Sequence, residues 1–182
     1  MAKNTKIVLL IGAPSTGKTS VIDYLKAKGH LCFEEISRQV IQEARLGGIE
    51  HLFQSEPLLF SKKLLEGRIN QFIEAKNASE EIVFIDRGLP DVTAYLDMVE
   101  TSYGEDFINA NKKYKYDTVF WFPIWENIYK EDKERYENLE LAKKIEEFLL
   151  KAYKALGYEI IEVPKTSIEN RADFILKHSK LK

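Results

Sequence analysis

The residues Gly12-Ala13-Pro14-Ser15-Thr16-Gly17-Lys18-Thr19-Ser20 have the types and spacing to hold a phosphate. Glycines bracket the stretch, and Lys and Thr follow the second one, which is the P-loop pattern G-x-x-x-x-G-K-[ST]. Such a loop turns its backbone N–H groups inward onto phosphate oxygens. A helix opening at Lys18 would aim its positive dipole end at the same anion. Lys18 is expected to reach the β- and γ-phosphates, and the Thr19 hydroxyl to sit on Mg²⁺.

Three further groups could share that chemistry. The apolar run 82–85 ends in Asp86, and a carboxylate at the end of a strand downstream of such a loop holds Mg²⁺ through its water shell. Arg87 follows directly, placed either to bind a phosphoryl group or to hold an acidic base. Asp91 favours a helix dipole and equally points towards the same crevice. In Glu34-Glu35-Ile36-Ser37-Arg38, Glu35 and Arg38 are three apart and share one helix face that starts beside the phosphate site. The mixed-charge run from Lys130 to Arg135 reads as an exposed face or as a lid, from which Lys133 and Arg135 would reach a transferring phosphoryl group. Arg68, within a long amphipathic run, is expected to face solvent, although such a helix can also wall a substrate pocket.

These groups need a scaffold, and hydrophobic patterning supplies one. Residues 6–11 are a continuous apolar run bounded by Gly12 and Pro14, as in a strand buried on both faces. A helix over 17–28, stopped by Gly29, leads to a second strand at 30–33. Strand, helix, strand at this spacing is a βαβ unit, so the sheet is expected to be parallel with a right-handed crossover. A helix follows up to Gly47-Gly48. Residues 49–56 read as an irregular link, with Ser55 as N-cap of a helix over 57–76 whose stripe is Leu58, Leu59, Leu64, Leu65, Ile69, Phe72 and Ile73. Further strands are expected at 82–85, 117–122 and 158–163. Helices are expected from Pro90, over 105–111, from Leu139 to Gly157, and after a cap at Thr166 or Ser167. The tail 177–182 is expected to fray. The sum is a three-layer α/β fold of five parallel strands with helices on both faces, one domain over 1–182, and a lid at about 124–140.

Composition narrows the partners. Of 182 residues, 45% are hydrophobic, and the net charge is −2, so charge gives no case for nucleic acid or an anionic membrane surface. No apolar run is long enough to span a membrane, and a cytoplasmic location is the expectation. The single cysteine, Cys32, forms no internal disulfide and reads as a core thiol. His30, His51 and His178 lack metal-ligand spacing.

The chain resembles the P-loop small-molecule kinases, and within them most closely the NadR-like, AAA-type predicted ATPases. The resemblance rests on residues 12–19, on Phe33-Glu34-Glu35-x-x-Arg38-x-Val40-Ile41, and on Asp86-Arg87-Gly88-Leu89-Pro90-Asp91. It extends to the charged segment before Arg135 and to Ala155-Leu156-Gly157-Tyr158-Glu159 with Pro164. It implies that Glu35 accepts the proton of a substrate hydroxyl, that Arg87 holds that base and the phosphoryl group, and that Arg135 is a lid arginine. Glu34 stands where relatives often carry Pro, and the lid has Lys133 and Arg135 in place of an Arg-rich motif.

The leading expectation is therefore Mg-ATP-dependent phosphoryl transfer to a hydroxyl of a small nucleoside- or riboside-like metabolite. Glu35, Arg38, Arg87 and Asp91 would face the acceptor. The alternatives are a regulatory NTP switch acting on a protein partner, and a nucleotide-binding subunit without turnover. A guanine motif Asn-Lys-x-Asp is not matched by Asn111-Lys112-Lys113-Tyr114, which favours ATP.

Overall fold

The central strand explains the architecture. In the computed structural model, which describes residues 5–46, 49, 52–126 and 139–180, Lys6–Ile11 forms β1. Its side chains alternate between two cores. Ile7, Leu9 and Ile11 enter one hydrophobic cluster; Val8 and Leu10 enter the other. A strand with no polar face can sit only between two helical layers, so a continuous apolar run was the right signature.

Around β1 the chain lays down α1 (Lys18–Ala27), β2 (Cys32–Phe33), α2 (Ser37–Leu46), α3 (Leu52–Ser55), α4 (Pro57–Lys76) and β3 (Ile82–Asp86). It continues with α5 (Leu89–Met98), α6 (Glu105–Lys113), β4 (Thr118–Trp121), α7 (Leu139–Ala155), β5 (Ile160–Glu162) and α8 (Ile168–Ser179). Among the described residues the five strands form one sheet in the order β2-β3-β1-β4-β5. Every pairing is parallel. Helices α1 and α8 cover the face of Val8 and Leu10 through Val21, Ile22, Leu25, Ala172 and Ile175. Helices α4, α5, α6 and α7 cover the other face through residues such as Leu64, Val92, Phe107 and Leu149. The three-layer α/β fold and its five parallel strands are as the sequence implied.

The differences are local. Residues 52–55 are a short helix where an irregular link was expected, and the N-cap of α4 is Glu56, not Ser55, with Pro57 opening the helix. Ile73 is 44% exposed and lies off the buried stripe. Helix α8 runs on to Ser179, whose hydroxyl donates to the Ile175 carbonyl, so the expected fraying does not begin at 177. Ser167 is its N-cap and accepts from the Asn170 N–H. Gly47-Gly48, Lys133, Arg135 and residues 127–138 of the expected lid lie outside the described residues, and the end of that span belongs to α7.

Candidate active site

All of the groups singled out at strand ends meet at the carboxyl edge of the sheet, where open α/β sheets bind ligands. The loop after β1, the segment after β2 and the end of β3 are brought together by register, which sets Leu10 opposite Asp86. They line one crevice of about 2380 Å³, which also holds Arg38 at its exposed rim.

The phosphate loop is tightly specified. Gly12 has φ 148°, and a Cβ there would stand 2.5 Å from the Phe122 carbonyl oxygen, so a side chain is excluded by both conformation and space. Ala13 is buried behind it, while Pro14, Ser15, Thr16, Gly17, Thr19 and Ser20 line the crevice. The α1 N-cap is Gly17, with no side-chain cap and no acidic residue in the first turn. The first N–H groups of α1 thus meet no competing carboxylate from their own helix.

Lys18 is buried and folded back onto its own loop. Its Nζ donates to the carbonyls of Gly12 and Ala13 at 2.8 Å each, and to Thr16 Oγ1 at 3.3 Å. Burial, reinforced by the nearby Arg87 guanidinium, lowers its pKa to about 8 against the pull of Asp86, Asp91 and Glu35.

Asp86 is 5% exposed, and its Oδ1 has no hydrogen-bond partner. Burial raises its pKa, opposed by Lys18 and Arg87. An orphaned buried carboxylate oxygen beside a phosphate loop fits a hard divalent cation. Among the described residues no group of three or more His, Cys, Asp or Glu could form an all-protein cage. That donor set suits Mg²⁺, which keeps its waters and takes one or two protein oxygens plus phosphate. Asp86 and Thr19 are the residues that would hold it.

Across the crevice lies an ion network built from four elements. Glu35 leaves β2 and is pinned at once, since its Oε1 accepts the Ser37 N–H at 3.0 Å. Its Oε2 is paired with Arg87 Nε. Arg68, far from facing solvent, is 4% exposed and donates to Glu35 Oε1 at 3.1 Å and to the Gly88 carbonyl at 2.6 Å. Burial pushes the Glu35 carboxyl up, but Arg68, Arg87 and the Ser37 N–H override it and hold it below its usual range. Arg87 has φ 67°, a left-handed conformation that is strained for a side-chain-bearing residue. Its Nη1 lies 3.2 Å from Asp91 Oδ1. Asp91 is buried at the start of α5, where its Oδ2 accepts from the Gly88 N–H at 3.0 Å and from the Tyr153 hydroxyl at 2.5 Å. Its capping role and its place in the crevice thus coexist.

Arg68, Tyr153 and Arg171 were not anticipated. Arg171 lies on α8 and is 5% exposed; its Nη1 donates to the Thr16 carbonyl at 3.2 Å, and its guanidinium packs over the rings of Phe122 and Trp125. A signal existed for each. Arg68 is four residues from both Leu64 and Phe72, Tyr153 four from Leu149, and Arg171 four from Ile175, and all those neighbours are buried. A polar residue in register with a buried stripe has a buried partner elsewhere. Cys32 is half-buried against the α1–α8 core, not within it, and burial pushes its thiol up to about 11, which favours the protonated thiol.

A family model described as an AAA domain matches residues 7–171. No curated protein sequence matches the chain. Similar solved structures include deoxyadenosine kinase from M. mycoides, 14% identical with TM-score 0.69, covering 96% of this chain and 98% of that one. NadR in complex with NR is 16% identical with TM-score 0.72, covering 98% of this chain and 52% of that one. Thymidylate kinase from Candida albicans is 16% identical with TM-score 0.67, covering 97% and 92%.

Proposed function

The chain belongs to the AAA-domain family, and from that premise we propose that it transfers the γ-phosphoryl group of Mg-ATP to a hydroxyl of a small metabolite, nucleoside- or riboside-like. The likeness in fold to deoxyadenosine kinase and to NadR in complex with NR supports this choice of acceptor class. The observation that carries the reading is the Glu35–Arg87 pair opposite Lys18. A phosphate loop alone serves hydrolysis or switching equally well. An ionised carboxylate held on the facing wall adds a place for an acceptor hydroxyl.

In this reading the backbone N–H groups of residues 15–19 and the Lys18 ammonium take the β- and γ-phosphate charge. When bound, Mg²⁺ adds charge neutralisation at the same phosphates, held by Asp86 and Thr19. Glu35 accepts a hydrogen bond from the acceptor hydroxyl and aligns its oxygen. Arg87, strained into place and braced by Asp91, offers positive charge between that oxygen and the phosphoryl group. Arg135 is assigned to the lid side of the phosphoryl group on the resemblance in sequence, and Arg38 to the rim of the acceptor side.

The test is a transfer assay across nucleosides and ribosides with Mg-ATP. Acceptor-dependent ADP formation is expected, and Glu35→Gln should lower it by about 10²-fold or more, the usual scale for a general acid–base group. Background hydrolysis with every acceptor would sink the proposal and favour a regulatory switch.

A further inference from the structure

Nothing in phosphate binding calls for Arg68, yet it is the best-enclosed cation of the acceptor side. A buried guanidinium is costly unless paired and hydrogen-bonded. Arg68 joins two separate stretches of the site: Glu35, which follows β2, and Gly88, which neighbours Arg87 after β3. It reaches both from the middle of α4, a helix locked to the sheet by Leu64, Leu65 and Phe72.

A carboxylate offers about four lone-pair sites. On Glu35, Oε1 accepts hydrogen bonds from Arg68 Nη2 and the Ser37 N–H, while Oε2 is ion-paired with Arg87 Nε. Among the described residues Oε1 is thus filled, and the open acceptor capacity of Glu35 lies on Oε2.

We propose that Arg68 is a positioning residue for phosphoryl transfer: by helping to fill Oε1 it fixes Glu35 as an acceptor open on Oε2, the oxygen beside Arg87. This rests on the phosphotransferase reading. In the transfer the acceptor hydroxyl donates to Oε2. A bond forms from its oxygen to the γ-phosphorus while the bond to the β–γ bridging oxygen breaks, and the electron pair leaves on the diphosphate. The hydroxyl proton passes to Glu35 Oε2 and then to water. A carboxylate flanked by two guanidiniums is a weak base, so the proton moves late, as a loose transition state allows. The task of Glu35 is then alignment before proton removal, and Arg68 supplies the alignment.

Arg68→Met keeps the aliphatic stem and removes the charge and the fork. The expected result is a fall in kcat of about 10²-fold, the scale for misplacing a reacting group by an ångström. The acceptor KM should change far less, the Kd of a non-hydrolysable ATP analogue should stay within about twofold, and the acid limb of the kcat profile should move to higher pH. Arg68→Lys restores charge without the fork, so it should recover the acid limb more fully than kcat. Carbon-13 NMR titration of Glu35 gives a readout that needs no turnover: the carboxyl should titrate at higher pH in Arg68→Met than in the parent. An active parent with unchanged kcat and unchanged Glu35 titration in Arg68→Met overturns this proposal alone. A parent that transfers to no acceptor overturns the phosphotransferase reading and, with it, this role. If Arg68→Met does not fold, Arg68→Lys carries the same comparisons.

Discussion

Lys18 faces the hardest electrostatic demand of any single residue here. It is buried, its ammonium is satisfied by its own loop carbonyls, and burial holds its pKa at about 8. Bound phosphate would supply the missing negative charge and push that pKa back towards the ordinary lysine range near 10.4. The sign follows: at pH 8 roughly half of the free protein carries a neutral Lys18, so nucleotide binding should take up about half a proton. At pH 6.5 the lysine is already charged, and uptake through it should be near zero. Calorimetry of ATP-analogue binding in buffers of different ionisation enthalpy measures this number directly. Equal uptake at both pH values, or none at either, would contradict it. Lys18 itself was plain in the sequence because its role depends on neighbours in the chain. Arg68 was not, because its partner Glu35 lies 33 positions away, and only the fold brings them together. Arg87 fell between these cases. Its place beside the third strand was legible, but not its left-handed backbone.

Elements show the same division. The strands were readable because burial on both faces demands unbroken apolar runs, and α1 because Gly17 and Gly29 bracket it. The short helix 52–55 was missed because four residues carry too little periodicity to distinguish a turn from a helix. What patterning could not show is how α5 and α7 meet. Gly88, just before α5, has a hypothetical Cβ 2.7 Å from Leu9 Cδ2, 2.8 Å from the Tyr153 hydroxyl and 3.0 Å from Tyr116 Cε2. Its φ of −127° is ordinary, so the constraint there is purely one of space. Gly88→Ala would therefore overpack the point where β1, α5 and α7 converge. It would also push Tyr153 off Asp91, which braces Arg87. The expected cost is about 1–3 kcal/mol of stability, the usual range for an extra methyl in a packed core. Urea unfolding would measure it as a lower midpoint at unchanged slope. Transfer activity should fall as well, because the added methyl reaches Arg87 through Tyr153 and Asp91. A variant as stable as the parent would show that the packing relaxes around the methyl.

Over the whole molecule, the last helix completes the first loop. Arg171 on α8 donates to the Thr16 carbonyl across 155 positions of sequence. The peptide joining Thr16 to Gly17 is trans and planar, so holding its carbonyl towards α8 turns the Gly17 N–H the opposite way. That N–H belongs to the set that cradles phosphate in such loops. The guanidinium also stands where a Gly17 side chain would be, 2.6 Å from the hypothetical Cβ, and packs over Phe122 and Trp125 after β4. The segments after β1 and β4 thus converge on one side chain of α8. No local pattern in the sequence could announce this, since the spacing of Arg171 to Ile175 reveals only that it is buried. Arg171→Met should keep most of the packing and lose the hold on Thr16. The expected result is a loss of about tenfold in affinity for a non-hydrolysable ATP analogue, the scale of a charge-assisted hydrogen bond near 1.4 kcal/mol. At a concentration 100 times the parent Kd, the analogue stabilises the parent by about 2.7 kcal/mol and the variant by about half that. A thermal-shift comparison should therefore show the ligand-induced rise in Tm roughly halved, on top of any drop in the unliganded Tm. An unchanged rise would mean that the phosphate loop keeps its shape without α8, and that Arg171 is packing alone.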